Sequence, residues 1–457
     1  MPKNKPINAA AAACFLALLG VPPAFAQSGA VTSASGQRVE KEIIVDAGTR
    51  VPVPIAVMDV LPPVPTKDTK EVGDKATQIL LRDLEICGEF DLILSKTALH
   101  DWRKEGMTAG SIGFKNYDNL GAQALIRGQV KATGDKFNLD LRLYDVSKGR
   151  DIRLDWKAQD VKPGGELRMA VHAFANEVYR HFIGKPGFFG SRIAYVRKLG
   201  NGNKAVFMMD HDGARRGRVS RTDTLNLLPS WDPRGGGLLY TSYANGQPDL
   251  FLHRLGAKQA VSLSSHPGMN VGGAYSPNGN TIALTLSKDG NSEIYLIDAG
   301  TGKISKRLTN NWAIDSSPTW SPDGSKIAFV SDRSGSPQIY VMSAGGGGAK
   351  RLTFQGTYNT TPDWSPRGDV IAFTARDERY RFDIFTVSVG SGEIVRLTQN
   401  QGNNEEPTWS PDGRYLAFTS TRKGGQRIYV MTYDGLVQTC VTPKGGGYAT
   451  PAWGPAP

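Results

Sequence analysis

The sequence predicts a small α/β N-terminal domain followed by an all-β six-bladed β-propeller that the C-terminal strand closes. Three observations support this prediction: a Trp-Ser-Pro-Asp-Gly motif recurs about every 45 residues in the second half, its last copy is truncated, and residues 39–183 lack the repeat. Repeats of this length that carry several short strand patterns are typical of propeller blades. The content of 53 glycines and 27 prolines agrees with many tight turns.

The first 26 residues have the pattern of a secretory signal peptide. Lys3 and Lys5 precede an apolar run, and Ala24-Phe25-Ala26 forms an A-x-A cleavage site. Cleavage after Ala26 leaves 52 basic and 43 acidic residues, a formal net charge of +9. Because an exported protein has little access to nucleic acid, the basic surface is interpreted as a solubility feature or as a site for an anionic membrane or an acidic protein.

The segment between the signal peptide and the propeller predicts three further units. Residues 27–38 are rich in Gly, Ser and Ala and are expected to be a disordered tail, and residues 39–183 are expected to form the α/β domain. Strands are predicted over residues 42–45, 55–60, 90–94, 124–130, 137–144 and 152–156, and amphipathic helices over 70–86 and 167–182. Two glycines and a proline then predict a hinge at residues 184–190, before the propeller at 191–457. Cys87 and Cys440 lie in different predicted domains and are expected to be free.

Each repeat of the second half predicts one four-stranded blade. A strand that ends in an aromatic residue meets Pro-Asp-Gly, in which Pro fixes φ and Gly closes the turn in a left-handed conformation. An alternating strand, a polar loop, a third strand and a short fourth strand follow. The aromatic positions are 231, 275, 320, 364, 409 and 453, with separations of 44 or 45 residues. The tryptophans among them are interpreted as packing between blades.

The two ends of the repeat region predict how the ring closes. The last copy stops after its first strand, at residues 451–455, and the strands that it lacks match residues 191–196 and 205–209. The C-terminal strand is therefore expected to complete the first blade, which gives six blades and leaves no open edge strand.

The candidate binding surface lies on one face of the predicted propeller. The Pro-Asp-Gly turns are nearly uniform, whereas the connectors between blades and the loops between second and third strands vary, and variable loops carry binding chemistry. Short polar residues just before each first strand are expected to surround the mouth of the central canal and to bind a partner protein; they are Met269, Asn270, Asp315, Ser316, Asn359, Thr360, Asn404, Glu405 and Tyr448. Arg376, Arg379 and Arg381 are expected to form a basic cluster farther out.

Enzymatic alternatives find little support in the sequence. There is no G-x-S-x-G nucleophile motif, no matched set of carboxylates at the predicted canal and no H-E-x-x-H or Cys/His cluster, so no catalytic residue, metal site or cofactor is predicted. Residues 300–303 imitate a phosphate-binding loop but lie in a turn between strands. The alternative that stays open is a propeller that binds peptidoglycan or another carbohydrate directly, with Tyr243, Tyr358, Tyr380 and Tyr448 as stacking candidates.

Four features together resemble the TolB family of the Tol-Pal cell-envelope system. They are the Ile-Ile-Val-Asp-Ala-Gly segment near the mature N-terminus, the small α/β domain, the Gly-Ser-Arg-Ile-Ala-Tyr-Val junction at residues 190–196, and the six blades. The resemblance implies a monomeric, non-enzymatic periplasmic scaffold within a multi-protein complex that supports outer-membrane integrity and envelope constriction at cell division.

The resemblance also implies two partners. A Pal-like lipoprotein, and through it peptidoglycan and the outer membrane, would bind the propeller face. A TolA-like inner-membrane protein would bind the N-terminal segment within residues 39–50, for which the candidate residues are Glu42, Ile43, Ile44, Val45, Asp46 and Gly48. This chain carries an extra tail at residues 27–38 that some relatives lack, and the tail puts in doubt whether the N-terminal segment is available to the TolA-like partner.

Overall fold

The computed structural model describes residues 51–456. The predicted signal peptide, the tail and the N-terminal segment at residues 42–48 therefore lie outside the described residues. The first part of the described chain contains six strands, three α-helices and three short 3₁₀ turns. In chain order, these elements are β1 (Val53–Val57), α1 (Lys67–Cys87), β2 (Phe90–Leu94), the turns at Ser95–Thr97, Trp102–Lys104 and Ala109–Ser111, α2 (Phe114–Asp118), β3 (Ala124–Thr133), β4 (Lys136–Asp145), β5 (Arg150–Ile152), β6 (Ala158–Val161) and α3 (Gly165–Ile183).

These strands form one mixed sheet in the order β2-β1-β3-β4-β5, with β6 paired to β4. Strand β1 runs parallel to both of its neighbours, while β3, β4 and β5 are antiparallel. Helix α1 begins at a capping box in which the Thr66 hydroxyl accepts from the Thr69 N–H and the Thr69 hydroxyl accepts from the Thr66 N–H. Its apolar face and that of α3 pack on one side of the sheet, and residues around the 3₁₀ turns cover the other.

The sequence located most of these elements but was wrong in two places. The strand predicted over residues 55–60 ends at Val57, and the strand predicted over residues 152–156 is replaced by β5 and β6 on either side of it. Trp156 explains the second error, because its indole donates to the Ala170 carbonyl at 2.9 Å and its ring packs against Phe174. The apolar side chain of Trp156 therefore reflects packing against α3 and does not indicate a strand.

The second part of the described chain is a six-bladed β-propeller of four-stranded antiparallel sheets, which confirms the predicted fold class. The strands of the first blade are β7 (Arg192–Lys198), β8 (Lys204–Asp210), β9 (Gly217–Arg218) and the C-terminal β30 (Tyr448–Trp453). The second and third blades contain β10 (Asn226–Trp231), β11 (Gly237–Ser242), β12 (Asp249–Arg254), β13 (Val261–Ser264), β14 (Asn270–Tyr275), β15 (Thr281–Leu286), β16 (Glu293–Asp298) and β17 (Ile304–Arg307).

The fourth to sixth blades repeat the same arrangement. Their strands are β18 (Asp315–Trp320), β19 (Lys326–Ser331), β20 (Gln338–Ser343), β21 (Lys350–Arg351), β22 (Asn359–Trp364), β23 (Val370–Arg376), β24 (Phe382–Ser388), β25 (Ile394–Arg396), β26 (Asn404–Trp409), β27 (Tyr415–Ser420), β28 (Arg427–Thr432) and β29 (Gln438–Cys440). No helix within residues 51–456 is long and apolar enough to cross a membrane.

The ring is closed by the C-terminal strand. Strand β30 pairs antiparallel with β7, and Trp453 lies opposite Ile193. Indole N–H groups of the repeat also join neighbouring blades, because Trp231 donates to the Ala452 carbonyl at 2.9 Å and Trp409 to the Asp363 carbonyl at 3.1 Å. All five tryptophans of the repeat pack between blades, as their recurrence predicted, whereas the Trp364 indole donates within its own blade, to the Gly368 carbonyl.

The α/β part packs against the first and sixth blades through a shared apolar core. Phe188 and Phe189, in the connection between the two parts, are fully buried in that core together with Tyr179 and Tyr415. The Tyr415 hydroxyl donates to the Cys87 carbonyl at 3.1 Å, and Cys87 and Cys440 form no disulfide bond. The hinge and the domain limits stay predictions, and any hinge movement would have to expose the two phenylalanines.

Candidate functional site

The central canal of the propeller is a large concave feature of the described residues. Its cavity of about 640 Å³ runs between the six first strands, β10, β14, β18, β22, β26 and β30. At one end the canal is bordered by the repeated prolines of the Pro-Asp-Gly turns, and at the other by the connectors between blades. The α/β part contacts the strand ends that carry the Pro-Asp-Gly turns, including Tyr415 at the start of β27. The α/β part therefore packs at the end opposite the connectors, and none of its described residues lines the canal.

The predicted mouth residues divide into two groups. Met269, Ser316, Thr360 and Glu405 line the canal. Asn270, Asp315, Asn359, Asn404 and Tyr448 are instead buried, with at most 5% of their surface exposed. Successive residues of a strand point to opposite faces, so one member of each predicted pair faces the canal and the next faces the blade. The sequence interpretation had placed both members of each pair on the surface.

The buried asparagines close the ends of the blades from inside. The Asn404 amide donates to the Asp383 carboxylate at 2.9 Å, and the Thr398 hydroxyl donates to the same oxygen at 2.6 Å. In the preceding blade, the Asn359 amide donates to the Gln338 side-chain oxygen at 2.8 Å. Because buried polar groups are expensive to leave without partners, these side chains hold the connectors in place and cannot reach a partner without repacking.

Asp315 and Tyr448 are also occupied within the protein. The Arg333 guanidinium donates to the Asp315 carboxylate at 2.6 Å and lies 5.0 Å from the centre of the Tyr340 ring. Burial raises the pKa of Asp315 in spite of this contact. The Tyr448 ring packs beside Tyr195 in the first blade. These two residues stabilise the blades and do not offer free side chains at the mouth.

A ring of bulges in the first strands shapes the canal wall. In every blade the pairing with the second strand shifts by one step, and the residue before the repeated proline or glycine adopts a left-handed backbone. These six residues are Leu228, Gly272, Ser317, Thr361, Glu406 and Thr450, with φ between 48° and 65°. Bulges typically redirect side chains at functional surfaces. The sequence signal for this ring is the repeated proline, which the prediction of short polar residues overlooked.

Threonine hydroxyls bind four of these bulges from the neighbouring blade. The Glu406 N–H donates to the Thr374 hydroxyl at 2.9 Å, and the Thr450 N–H lies 3.1 Å from the Thr419 hydroxyl. Ser317 and Gly272 make the equivalent bonds at 3.3 Å and 3.4 Å. The canal wall is thus held by contacts between blades, which stabilises the left-handed conformations.

Glu405 and Glu406 make the canal acidic on the side of the sixth blade. Glu406 is held by Thr419 and Thr450, whose hydroxyls donate to it at 2.7 Å and 3.0 Å. Glu405 lines the canal, and burial together with the neighbouring Glu406 raises its pKa to about 8. Deeper in the canal, burial raises the pKa of Asp363 to about 6, although the Trp409 N–H donates to its carboxylate at 2.7 Å. Both carboxyl groups therefore keep a proton to higher pH than usual, and the canal suits a ligand whose polar groups hydrogen-bond to them.

The structure also places the tyrosines that are candidates for carbohydrate stacking and the loop that imitates a phosphate-binding loop. Tyr380 is 76% exposed, whereas Tyr243 and Tyr358 are only partly exposed and Tyr448 is buried. The loop at residues 300–303 is a turn in which the Asp298 carboxylate accepts from the Thr301 N–H at 2.8 Å. An internal carboxylate therefore occupies the position that a phosphate would need.

The structure also brings together one group of potential metal ligands that the sequence separates. Asp83 on α1, His172 on α3 and His211 beside β8 are fully buried where the two parts meet. His172 Nδ1 and His211 Nε2 lie 2.7 Å and 3.0 Å from the Asp83 carboxylate oxygens. Burial alone would raise the pKa of Asp83, but its interactions with the two histidines lower it by more.

The other ring nitrogens of the two histidines show what this group does. The Gly190 N–H donates to His211 Nδ1 at 3.3 Å, and an Arg168 N–H lies 3.3 Å from His172 Nε2. Since a nitrogen that accepts carries no proton, the nitrogens facing Asp83 are the ones that donate. The three residues therefore form a hydrogen-bonded joint, called here the Asp83 joint, which fastens both helices to the first blade. A metal ion would have to displace both of these protons.

Comparisons with known proteins agree with this architecture. The family model of the TolB amino-terminal domain matches residues 41–152, and that of the TolB beta propeller domain matches residues 179–384 and 378–456. A Tol-Pal system protein TolB from Anaeromyxobacter dehalogenans is 42% identical over 430 residues, which cover 93% of this chain and 96% of that protein. Another from Desulfosudis oleivorans is 39% identical over 260 residues, 57% of this chain and 58% of that protein.

Among solved structures, TolB from Acinetobacter baumannii superposes with a TM-score of 0.76 at 27% identity and covers 89% of this chain and 98% of that chain. The matches include both the α/β part and the closed propeller, and they confirm the resemblance stated from the sequence. The chain belongs to the TolB family of Tol-Pal system proteins.

Proposed function

We propose that this protein is a non-enzymatic periplasmic scaffold that links a Pal-like outer-membrane lipoprotein to a TolA-like inner-membrane protein. In this role it would maintain outer-membrane integrity and support envelope constriction during division. The observation that carries the proposal is the open connector mouth of the canal, a preformed cavity bordered by short polar side chains and one acidic pair. Protein-binding sites that need little rearrangement lose little conformational freedom on binding.

The Pal-like partner is assigned to the canal mouth on the basis of four residues. Met269, Ser316, Thr360 and Glu405 face the canal from the third, fourth, fifth and sixth blades. A loop or helix end that projects into this mouth would reach all four, and its donors would approach Glu405. The five buried residues of the original prediction act behind this surface by fixing the connectors.

The TolA-like partner is assigned to the N-terminal segment, residues Glu42, Ile43, Ile44, Val45, Asp46 and Gly48. The short apolar run Ile43-Ile44-Val45, which is rich in β-branched residues, suits addition of a strand to a partner sheet. A chain lacking residues 39–48 is expected to keep binding the Pal-like domain and to lose binding to the TolA-like domain in calorimetry. Retained binding to the TolA-like domain would assign that contact elsewhere.

The canal assignment is tested by filling the canal. Thr360→Arg places a long cationic side chain in the mouth and is expected to abolish binding of the soluble domain of the Pal-like lipoprotein. Ser262→Arg, on the exposed outermost strand of the second blade, is the matched control and should bind normally. Equal binding by both variants would remove the canal from the contact surface.

The same preparation tests localisation and the carbohydrate alternative. Mass spectrometry of the exported protein should find a mature N-terminus at Gln27, as cleavage after Ala26 predicts. If the wild-type chain sediments with purified peptidoglycan and does not bind the Pal-like domain, the protein-scaffold proposal fails in favour of direct glycan binding.

A further inference from the structure

An exposed surface patch lies outside the canal, on the fifth blade. It is formed by the connector that leads into β22 and by the loop between β23 and β24. The residues that define it are Phe354, Tyr358, Arg376, Arg379, Tyr380 and Arg381, called here the aromatic-arginine patch. The Arg376 N–H donates to the Tyr358 carbonyl at 3.1 Å, so the connector and the loop form one continuous surface.

The patch displays large aromatic side chains to solvent. Phe354 is 71% exposed and Tyr380 is 76% exposed. The Arg376 guanidinium lies between two rings, 5.5 Å from the centre of Tyr358 and 5.2 Å from that of Tyr380. On the next connector towards the fourth blade, Trp312 is also 76% exposed. Exposed aromatic residues beside arginines have the composition of protein-binding hot spots.

The loop that carries Tyr380 is held in a strained, fixed conformation. Tyr380 has φ of 58°, a region that bulky residues rarely occupy. The Asp377 carboxylate accepts from the N–H groups of Arg379 and Arg381, both at 2.9 Å. Burial would raise the pKa of Asp377, but these N–H groups and the nearby Arg396 lower it by more, so it stays ionised. Backbone strain that is stabilised in this way is typical of functional loops.

The patch is basic, whereas no basic side chain among the described residues lines the canal. Arg379 and Arg381 are exposed, and Arg376 is partly exposed. Asp377 is occupied by Arg396 at 2.9 Å, and the exposed Glu378 lies 4.0 Å from Arg379. The patch is therefore basic, while the carboxyl groups of Glu405 and Glu406 line the neighbouring sixth-blade side of the canal.

We infer that the aromatic-arginine patch binds an acidic segment of the same protein partner that covers the canal mouth. This inference rests on the proposed function. A partner with hydrogen-bonding polar groups over the canal and acidic residues over the patch would be favoured in one orientation, because the attraction between its acidic residues and the basic patch acts on one side of the canal only. Aromatic side chains of the patch would then pack against apolar side chains next to the acidic residues of the segment.

The test compares charge reversals on the same face. Binding of the soluble domain of the Pal-like lipoprotein is measured by calorimetry for the wild type, for R379E/R381E, for Tyr380→Ala and for Lys423→Glu. Lys423 is the exposed basic residue in the equivalent loop of the sixth blade and serves as the matched control. Thermal unfolding of each variant establishes that the exposed substitutions leave the fold intact.

The expected result is at least tenfold weaker binding by R379E/R381E, a shallower dependence of affinity on salt, weaker binding by Tyr380→Ala, and a change of less than twofold for Lys423→Glu. If R379E/R381E binds as tightly as the wild type, the patch is not a binding surface, and the proposed function stands. Absence of wild-type binding would overturn both. If purified peptidoglycan binds the wild type and not R379E/R381E, the occupant is a glycan and the protein partner is wrong for this surface.

Discussion

The Asp83 joint makes a quantitative prediction for the substitution Asp83→Ala. Asp83 is fully buried, and its two carboxylate oxygens accept from His172 at 2.7 Å and from His211 at 3.0 Å. Alanine removes both acceptors and leaves two buried N–H groups without partners. Each such group costs about 1–3 kcal/mol, so the α/β part is expected to lose about 2–6 kcal/mol of stabilisation by the propeller. Asp83→Asn keeps one acceptor and is expected to lose about half as much.

Urea unfolding and hydrogen exchange together measure this loss. The Asp83→Ala variant should unfold at lower urea, with faster amide exchange in α1 and α3 and unchanged exchange in the third blade, which does not touch the joint. Asp74→Ala is the matched control, since Asp74 is exposed on the same helix. If the two variants show the same midpoint and the same exchange, the joint does not hold the two parts together.

The pH dependence supplies a further check on Asp83. A carboxyl group whose pKa is lowered in the folded protein stabilises it above its ordinary pKa, here 3.8, and that stabilisation is lost as the pH falls through the lowered value. The difference in unfolding free energy between the wild type and Asp83→Asn should therefore be constant at neutral pH and shrink below about pH 4. A difference that persists unchanged at pH 3 would contradict the assigned role of the carboxylate.

Three other predictions concern the propeller. The pKa of Glu405 is raised from 4.5 to about 8, so the folded state retains a proton that the unfolded state releases, and stability should fall as the pH rises across that range. Glu405→Gln should therefore gain stability relative to the wild type from about pH 5 to about pH 8. A difference in unfolding free energy that stays constant over this range, measured in urea, would refute the prediction. Gly302→Ala would place a Cβ 1.9 Å from the Leu263 carbonyl oxygen and should lower the melting temperature strongly, whereas Gly300→Ala in the same turn should not. Trp409→Phe removes the hydrogen bond from the indole to the Asp363 carbonyl and should lower the free energy of unfolding by about 1–2 kcal/mol. An unfolding free energy equal to that of the wild type in chemical denaturation would contradict this.

The propeller could be predicted in detail because its information is local and repeated. Each blade carries its own turn signal, and the truncated copy at residues 451–455 shows which strand completes the ring. In the α/β part each sequence pattern that predicts a strand or helix occurs only once, so a single residue that is apolar for another reason can make the prediction wrong. Residues 152–156 alternate between apolar and polar side chains, which predicts a strand, but Trp156 is apolar because it packs against Phe174.

The binding site stays a prediction, and the sequence did not show which of its residues face the canal. Pairs such as Asn404 and Glu405 are adjacent in sequence, and strand alternation sends them to opposite sides. The Asp83 joint was inaccessible to sequence reasoning for another reason: His172 and His211 lie 89 and 128 residues from Asp83, and no short motif joins them. Long-range contacts between single residues leave no periodic pattern.

The ring of bulges explains how a repeat that looks purely structural can form a binding surface. Five of the six left-handed residues are not glycine, and such conformations cost of order 1–3 kcal/mol each. Their recurrence in every blade means that closure of the ring and the threonine bonds between blades offset this cost. A wall over-determined in this way cannot relax freely around a ligand. If the proposed partner binds the canal mouth, it must match a fixed canal, and its specificity then depends on the few positions where blades differ, above all Glu405, Glu406 and the strained loop of Tyr380.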